Sequence, residues 1–91
     1  MIDVYIHLGS NTVVNIKDVI AIIDLDKTTT SKNTRNFLTY AQKKGYVINI
    51  GEELPKSAVI CKHKNENRVY ISPISPVTLQ GRYSKEKQFL Y

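Results

Sequence analysis

At 91 residues, 42% of them apolar and 23% charged, the chain has room for one hydrophobic core and not two, and its composition is that of a globular protein. No apolar run approaches the ~18 residues of a membrane span, no basic stretch precedes an apolar one at the N-terminus, and Cys61 is alone, so we expect a soluble cytoplasmic protein without secretory signal or internal disulfide. The net charge of +5 is unevenly spread: residues 1–26 set Lys17 against Asp3, Asp18, Asp24 and Asp26, whereas 27–91 carry twelve Lys/Arg against Glu52, Glu53, Glu66 and Glu86.

In chain order, Val4, Ile6 and Leu8 alternate with Asp3, Tyr5 and His7, which predicts a half-buried strand ended by the turn cluster Gly9, Ser10 and Asn11. Val13, Val14 and Ile16 begin a second extended piece. Residues 19–23 are apolar throughout and predict a central strand covered on both faces. Residues 24–30 read as a polar connection, rich in types that disfavour helix interiors. One amphipathic helix is expected over about 31–44, capped by Thr30 or Ser31 and stopped by Gly45. Its inner face would carry Thr34, Phe37, Leu38 and Ala41; its outer face would carry Lys32, Arg35, Thr39 and Lys43.

A strand follows over 46–50, then a loop over 51–56. Strands over 57–62 and 68–72, joined by the polar stretch 63–67, predict a hairpin with a solvated tip. Val69 and Ile71 should face one side of the sheet, Tyr70 and Ser72 the other. Pro73 and Pro76 stop this strand, and Ser75 followed by Pro76 reads as the cap and first residue of a short C-terminal helix, about 76–83, with Leu79 inward and Arg82 outward. Residues 84–91 lack periodicity and read as a tail beyond a single domain of 1–83. The fold class is therefore α+β: a small, mostly antiparallel β-sheet with one long and one short helix.

Catalysis is not indicated. His7 and His63 are distant in sequence and lack paired carboxylates or a nucleophile pattern, and the glycines at 9, 45, 51 and 81 form no phosphate loop. Cys61 and His63 share a strand face, but two ligands do not make a metal site; Cys61 reads as a small buried hydrophobe and His63 as solvated. No catalytic residue, metal or cofactor is predicted. A basic surface fits a polyanion better, because Lys and Arg neutralise phosphates, and several subunits in register multiply the effect. Lys17, just ahead of the strand at 19–23, and Lys56, in an exposed loop, are candidates. Lys17 can equally pair with Asp18 or Asp3, Lys56 can be plain loop surface, and Arg35 plain helix surface. Tyr70 beside Arg68 leaves open a single-strand reading by base stacking.

The order and spacing of several segments resemble the extracellular-matrix regulatory proteins of the RemA/RemB family. These are the opening Tyr5–Gly9, Val13 and Val14, Lys17, the strand 19–23, the helix end Lys43, Lys44 and Gly45, the strand entry Lys56–Ile60, and an ending with Ser72, Thr78, Leu79 and Arg82. The ending, with Tyr70, Ser72, Pro73 and Ser75, is most similar to the RemB-like branch. The resemblance implies a fold like LytTR DNA-binding domains and a ring-shaped homo-oligomer, able to include a paralogous member. It also implies a nucleoid-associated regulator of biofilm-matrix genes that binds double-stranded DNA along the ring through phosphate contacts and bending. On this chain those contacts would fall to Lys17, Lys56, Arg35, Lys32 and Arg82. Where the RemA-like branch has adjacent Arg residues, Leu54, Pro55 and Lys56 stand here, so only Lys56 retains the charge. The alternative is an oligomeric interaction or scaffold protein without strong DNA binding.

Overall fold

In the computed structural model, which describes residues 3–28 and 31–88 (side chains of 27 and 28 excepted), the first strand behaves as its alternation predicts. β1 (Tyr5–Gly9) buries Ile6 and Leu8, with Val4 buried ahead of it, and pairs antiparallel with β2 (Thr12–Asn15). The register slips between His7 and Gly9. Gly9 sits at φ +122, where a Cβ would come within 3.1 Å of Ile50 Cγ2, so the hairpin can lie this close to the 50s loop only because glycine is there. Ile16 does not extend β2; it opens a 3-10 turn, Ile16–Asp18, with the Asn15 side chain accepting from the Lys17 amide at 3.0 Å.

The remaining strands form a four-stranded sheet in the order β3-β5-β6-β4, from β3 (Val19–Asp24), β4 (Val47–Asn49), β5 (Ser57–His63) and β6 (Glu66–Ser72). All pairs are antiparallel except β4–β6. The sheet has cores on both faces. One is built from Val59 and Cys61 with the hairpin residues Val4, Ile6, Leu8, Val14 and Ile16, and Leu79. The other gathers Ala58 and Val69 under Ala41, with Leu38, Ile23, Ile60 and Ile71 packed around them. Val69 and Ile71 face the second core and Tyr70 the first, as alternation requires. Ser72, fully buried, donates from Oγ to the Leu8 carbonyl at 2.6 Å and accepts the Ile74 amide at 3.1 Å, which ties the sheet to the hairpin beneath it.

The long helix is α2 (Lys32–Lys43), with Ser31 as its cap accepting from the Thr34 amide; the alternative cap, Thr30, lies outside the described residues. Gly45 at φ +77 closes it, and the amides of Gly45 and Tyr46 return to the carbonyls of Gln42 and Ala41, a Schellman ending that feeds directly into β4.

Five expectations are corrected. The apolar run 19–23 is not central: β3 is an edge strand, because the β5–β6 hairpin takes the middle and α2 carries the chain over to β4 on the far side. Its inner residues still find both cores, but Ile20, at a register shift between Val19 and Ala21, stays 60% exposed. The connection 24–30 is not all irregular: α1 (Leu25–Thr28) forms a single turn, with the Asp24 carboxylate accepting the Asp26 amide at 2.9 Å, so the residue types that disfavour helix interiors here act as a cap; 29–30 lie outside the described residues. Phe37 is not inside; the stripe that packs is Leu38 and Ala41, and Phe37 lies at its rim. The 63–67 stretch is mostly strand, with a two-residue turn at Lys64 and Asn65, both at positive φ (50 and 67), the backbone of a type I′ hairpin. The C-terminal helix α3 (Pro76–Lys87) runs past 83, because Tyr83 packs one turn beyond Leu79 and the Lys87 ammonium sits 5.8 Å from the Tyr83 ring centroid. The expected tail at 84–87 is therefore helix, and 89–91 lie outside the described residues.

Candidate nucleic-acid interface

β3 is antiparallel to β5, β5 to β6, and β6 is parallel to β4, so the sheet has two ends with different contents. The first, the tip end, holds the start of β3, the β5–β6 turn and the end of α2. The second holds the end of β3, α1, the start of α2, the 51–56 loop and the start of α3. The sequence candidates divide between them. Lys56 leads into β5, with its amide donating to the Ser72 carbonyl at 2.9 Å and its own carbonyl accepting from Leu25, and it shares the second end with Lys32 and Arg35 in the first turns of α2. Lys17 lies at the tip end, about 15–20 Å away along β3 at ~3.3 Å per residue. Arg82 is on the hairpin face, donating from Nη1 to the His7 carbonyl at 2.8 Å, so it braces α3 against β1. The five residues do not form one patch.

Charge distinguishes the ends. At the second end Lys32, Arg35 and Lys56 are matched and outnumbered by Asp24, Asp26, Glu52 and Glu53. At the tip end six cations, Lys17, Lys43, Lys44, Lys62, Lys64 and Arg68, all exposed, face three carboxylates, Asp3, Asp18 and Glu66. Two of these meet side chains of the β5–β6 hairpin: Asp18 with His63 Nδ1 at 3.1 Å and Glu66 with Arg68 at 2.9 Å. Lys17 pairs with neither of the carboxylates that could have claimed it, since Asp3 is met by Asn15 Nδ2 at 3.4 Å. Lys43 and Lys44 complement the α2 dipole, and Lys44 also lies 5.8 Å from the Tyr40 ring. Reading residues 63–67 as a solvated tip gives Lys62 and Lys64 no role, and Arg68 only a place beside Tyr70. Only the pairing, which brings 62 opposite 67 and 61 opposite 68, gathers these cations at the tip end, where Arg68 and Lys44 line one cleft.

Two open clefts flank this hairpin. One, about 250 Å³, is lined by Tyr5, Val13, Asn15, Asp18, Cys61, His63, Arg68 and Tyr70; the other, about 330 Å³, by Lys44, Gly45, Tyr46 and residues 65–68. Chemistry at the first is muted. Cys61 is 4% exposed, and burial, reinforced by the Asp18 carboxylate, pushes its thiol up to about 12, so it is a protonated core residue and not a thiolate nucleophile. Burial likewise raises the Tyr70 phenol, with the Cys61 charge adding to the effect and Arg68 opposing it. His63 is more than a solvated turn residue, given its contact with Asp18, and His7 is fixed by its Nε2 against the Ser10 carbonyl at 2.6 Å. Among the described residues no group of three or more His, Cys, Asp or Glu could hold a metal ion, and no helix is long and apolar enough to cross a membrane.

The chain is a small, mostly antiparallel α+β protein whose excess of positive charge lies at one end of the larger sheet. The chain belongs to the RemA-like family, described as extracellular matrix regulatory protein A-like, which it matches over residues 5–83. This is a regulatory family rather than an enzyme family. No curated protein matches the chain.

Proposed function

We propose that this chain is a cytoplasmic, nucleoid-associated transcriptional regulator of biofilm extracellular-matrix genes. It works as a ring-shaped homo-oligomer of LytTR-like subunits that binds duplex DNA through phosphate contacts and bends it. Family membership supplies the regulatory part of this reading. The observation that carries the DNA-binding part is the charge division: six exposed cations against three engaged carboxylates at the tip end, and none in excess at the other. A single subunit offers too few phosphate contacts for tight binding, and assembly multiplies them. Support for assembly comes from β3, an apolar strand left at a sheet edge with Ile20 60% exposed, the kind of edge that natural proteins cover. On this reading Lys17 remains a DNA contact, Lys32, Arg35 and Lys56 contribute less, and Arg82 holds α3 in place. The unit that folds is 1–83 extended by the last turn of α3, and the ending of the chain favours the RemB-like branch, which leaves room for a ring shared with a paralogue.

Solution mass combined with duplex titration at two salt concentrations tests this. The expected result is a mass of several subunits and an affinity that falls steeply between 50 and 200 mM salt, by about 10³-fold for ~6 phosphate contacts per assembly. A multi-subunit mass with no duplex binding at the lower salt would refute DNA binding and leave the scaffold alternative.

A further inference from the structure

The β5–β6 hairpin does more than close the sheet. The neighbouring strands stop short of its tip: β3 pairs no further than Cys61, and β4 begins opposite Val69. Residues 62–68 therefore project as a two-stranded ribbon with no third strand beside it, and every one of them is exposed. The type I′ turn at Lys64 and Asn65 makes the ribbon tight and fixes its register, since this turn matches the right-handed twist of the strands. Its three residues per side extend about 10 Å beyond the sheet. Along those 10 Å stand Lys62, Lys64, Asn65, Asn67 and Arg68, with Glu66 held against Arg68 at 2.9 Å.

We infer that this ribbon enters the major groove of duplex DNA, and that the chain reads base edges there in addition to gripping phosphates. The inference rests on the DNA-binding reading above and deepens it. The dimensions agree: a major groove about 12 Å wide and 8.5 Å deep admits a two-stranded ribbon. So does the chemistry. Asn side chains present the donor and acceptor pair that adenine edges match, and Lys and Arg match guanine, whereas a ribbon meant only for phosphates needs no amides. The flanks agree as well. Lys17 lies next to Asp18 on one side of the ribbon and Lys44 on the other, where the two phosphate rows of a straddled groove would run. The carboxylates that would oppose entry, Asp18 and Glu66, are both engaged by side chains of the ribbon itself, His63 and Arg68.

The test compares two double variants in the intact protein: Lys62→Gln with Lys64→Asn, in which Asn retains the left-handed turn conformation, and Lys32→Gln with Lys56→Gln at the other end. Duplex affinity is measured across a salt series, and sequence preference is measured by selection from random duplexes with wild type and Asn67→Ala. The ribbon variant should lower the log–log salt slope by about 2 per engaged subunit, the second-end variant should lower it by less than half as much, and Asn67→Ala should change the selected sequence while keeping the slope. Wild-type binding with an unchanged slope in the ribbon variant overturns the ribbon and spares the DNA reading. Wild type that binds poly-glutamate but no duplex overturns both, in favour of an acidic protein partner.

Discussion

Replacing Ser72 by Ala removes one oxygen from the centre of the molecule, and the structure lets its cost be worked out. Ser72 is fully buried, and its hydroxyl makes two hydrogen bonds at once: it donates to the Leu8 carbonyl at 2.6 Å and accepts from the Ile74 amide at 3.1 Å. Alanine leaves both backbone groups without that partner. A buried polar group left unpaired costs ~1–3 kcal/mol; the Leu8 carbonyl, in a residue with no exposure, is at the full end of that range, and the Ile74 amide, part-buried, adds a fraction. The loss of about 2–3 kcal/mol would lower the melting temperature by roughly 10–20 °C at ~4–8 °C per kcal/mol for a domain of this size. Urea unfolding followed by far-ultraviolet circular dichroism measures it, with the exposed Ser84→Ala as a control expected within about 0.5 kcal/mol of wild type. A Ser72→Ala variant as stable as the control would show that the hairpin does not hang on this hydroxyl.

Gly9→Ala should cost about 2 kcal/mol or more in the same assay, because its φ of +122 excludes a side chain and the new Cβ would lie 3.1 Å from Ile50. Cys61 should react with a thiol reagent only on unfolding. Its folded value of about 12, above the reference of 9.0, means that the thiol's contribution to stability is fully present below pH 9.0 and is lost as pH rises from there through about 12, which alkaline denaturation should register as a falling midpoint absent from Cys61→Ala. Ile20→Lys should leave the subunit's stability within about 0.5 kcal/mol, since the side chain is mostly exposed, while reducing the mass seen by light scattering; an unchanged mass would remove β3 from the assembly contact.

The elements that carry their own local signal were legible in the sequence. Ser75 and Pro76 start α3 as expected, Ser31 and Gly45 bound α2, and the alternation of Val4, Ile6 and Leu8 places all three in the core. What was not legible depended on pairing. Residues 19–23 look central because composition reports burial, not position in a sheet; β3 reaches both cores from the edge. The basic residues suffered the same way. Lys17, Lys56, Arg35, Lys32 and Arg82 stand out one by one along the chain, and the register that gathers Lys62, Lys64 and Arg68 at one end of the sheet, with Arg68 across a cleft from Lys44, cannot be read from spacing.

The crossover through α2 has a consequence for how copies of the chain could add to one another. The two outer strands, β3 and β4, run in the same direction. A neighbour that laid its β4 along β3 would extend the sheet in parallel and still offer its own β3 to the next copy, so every addition repeats one rotation and ends only when the circle closes. A neighbour that laid its β3 against β3 would consume both β3 edges and leave only the two β4 edges for further growth. The direction of two strands that never touch thus sets which assemblies are geometrically available: a two-fold pair through one kind of edge, or, through β4 on β3, a ring where the rotation closes and an open filament where it does not.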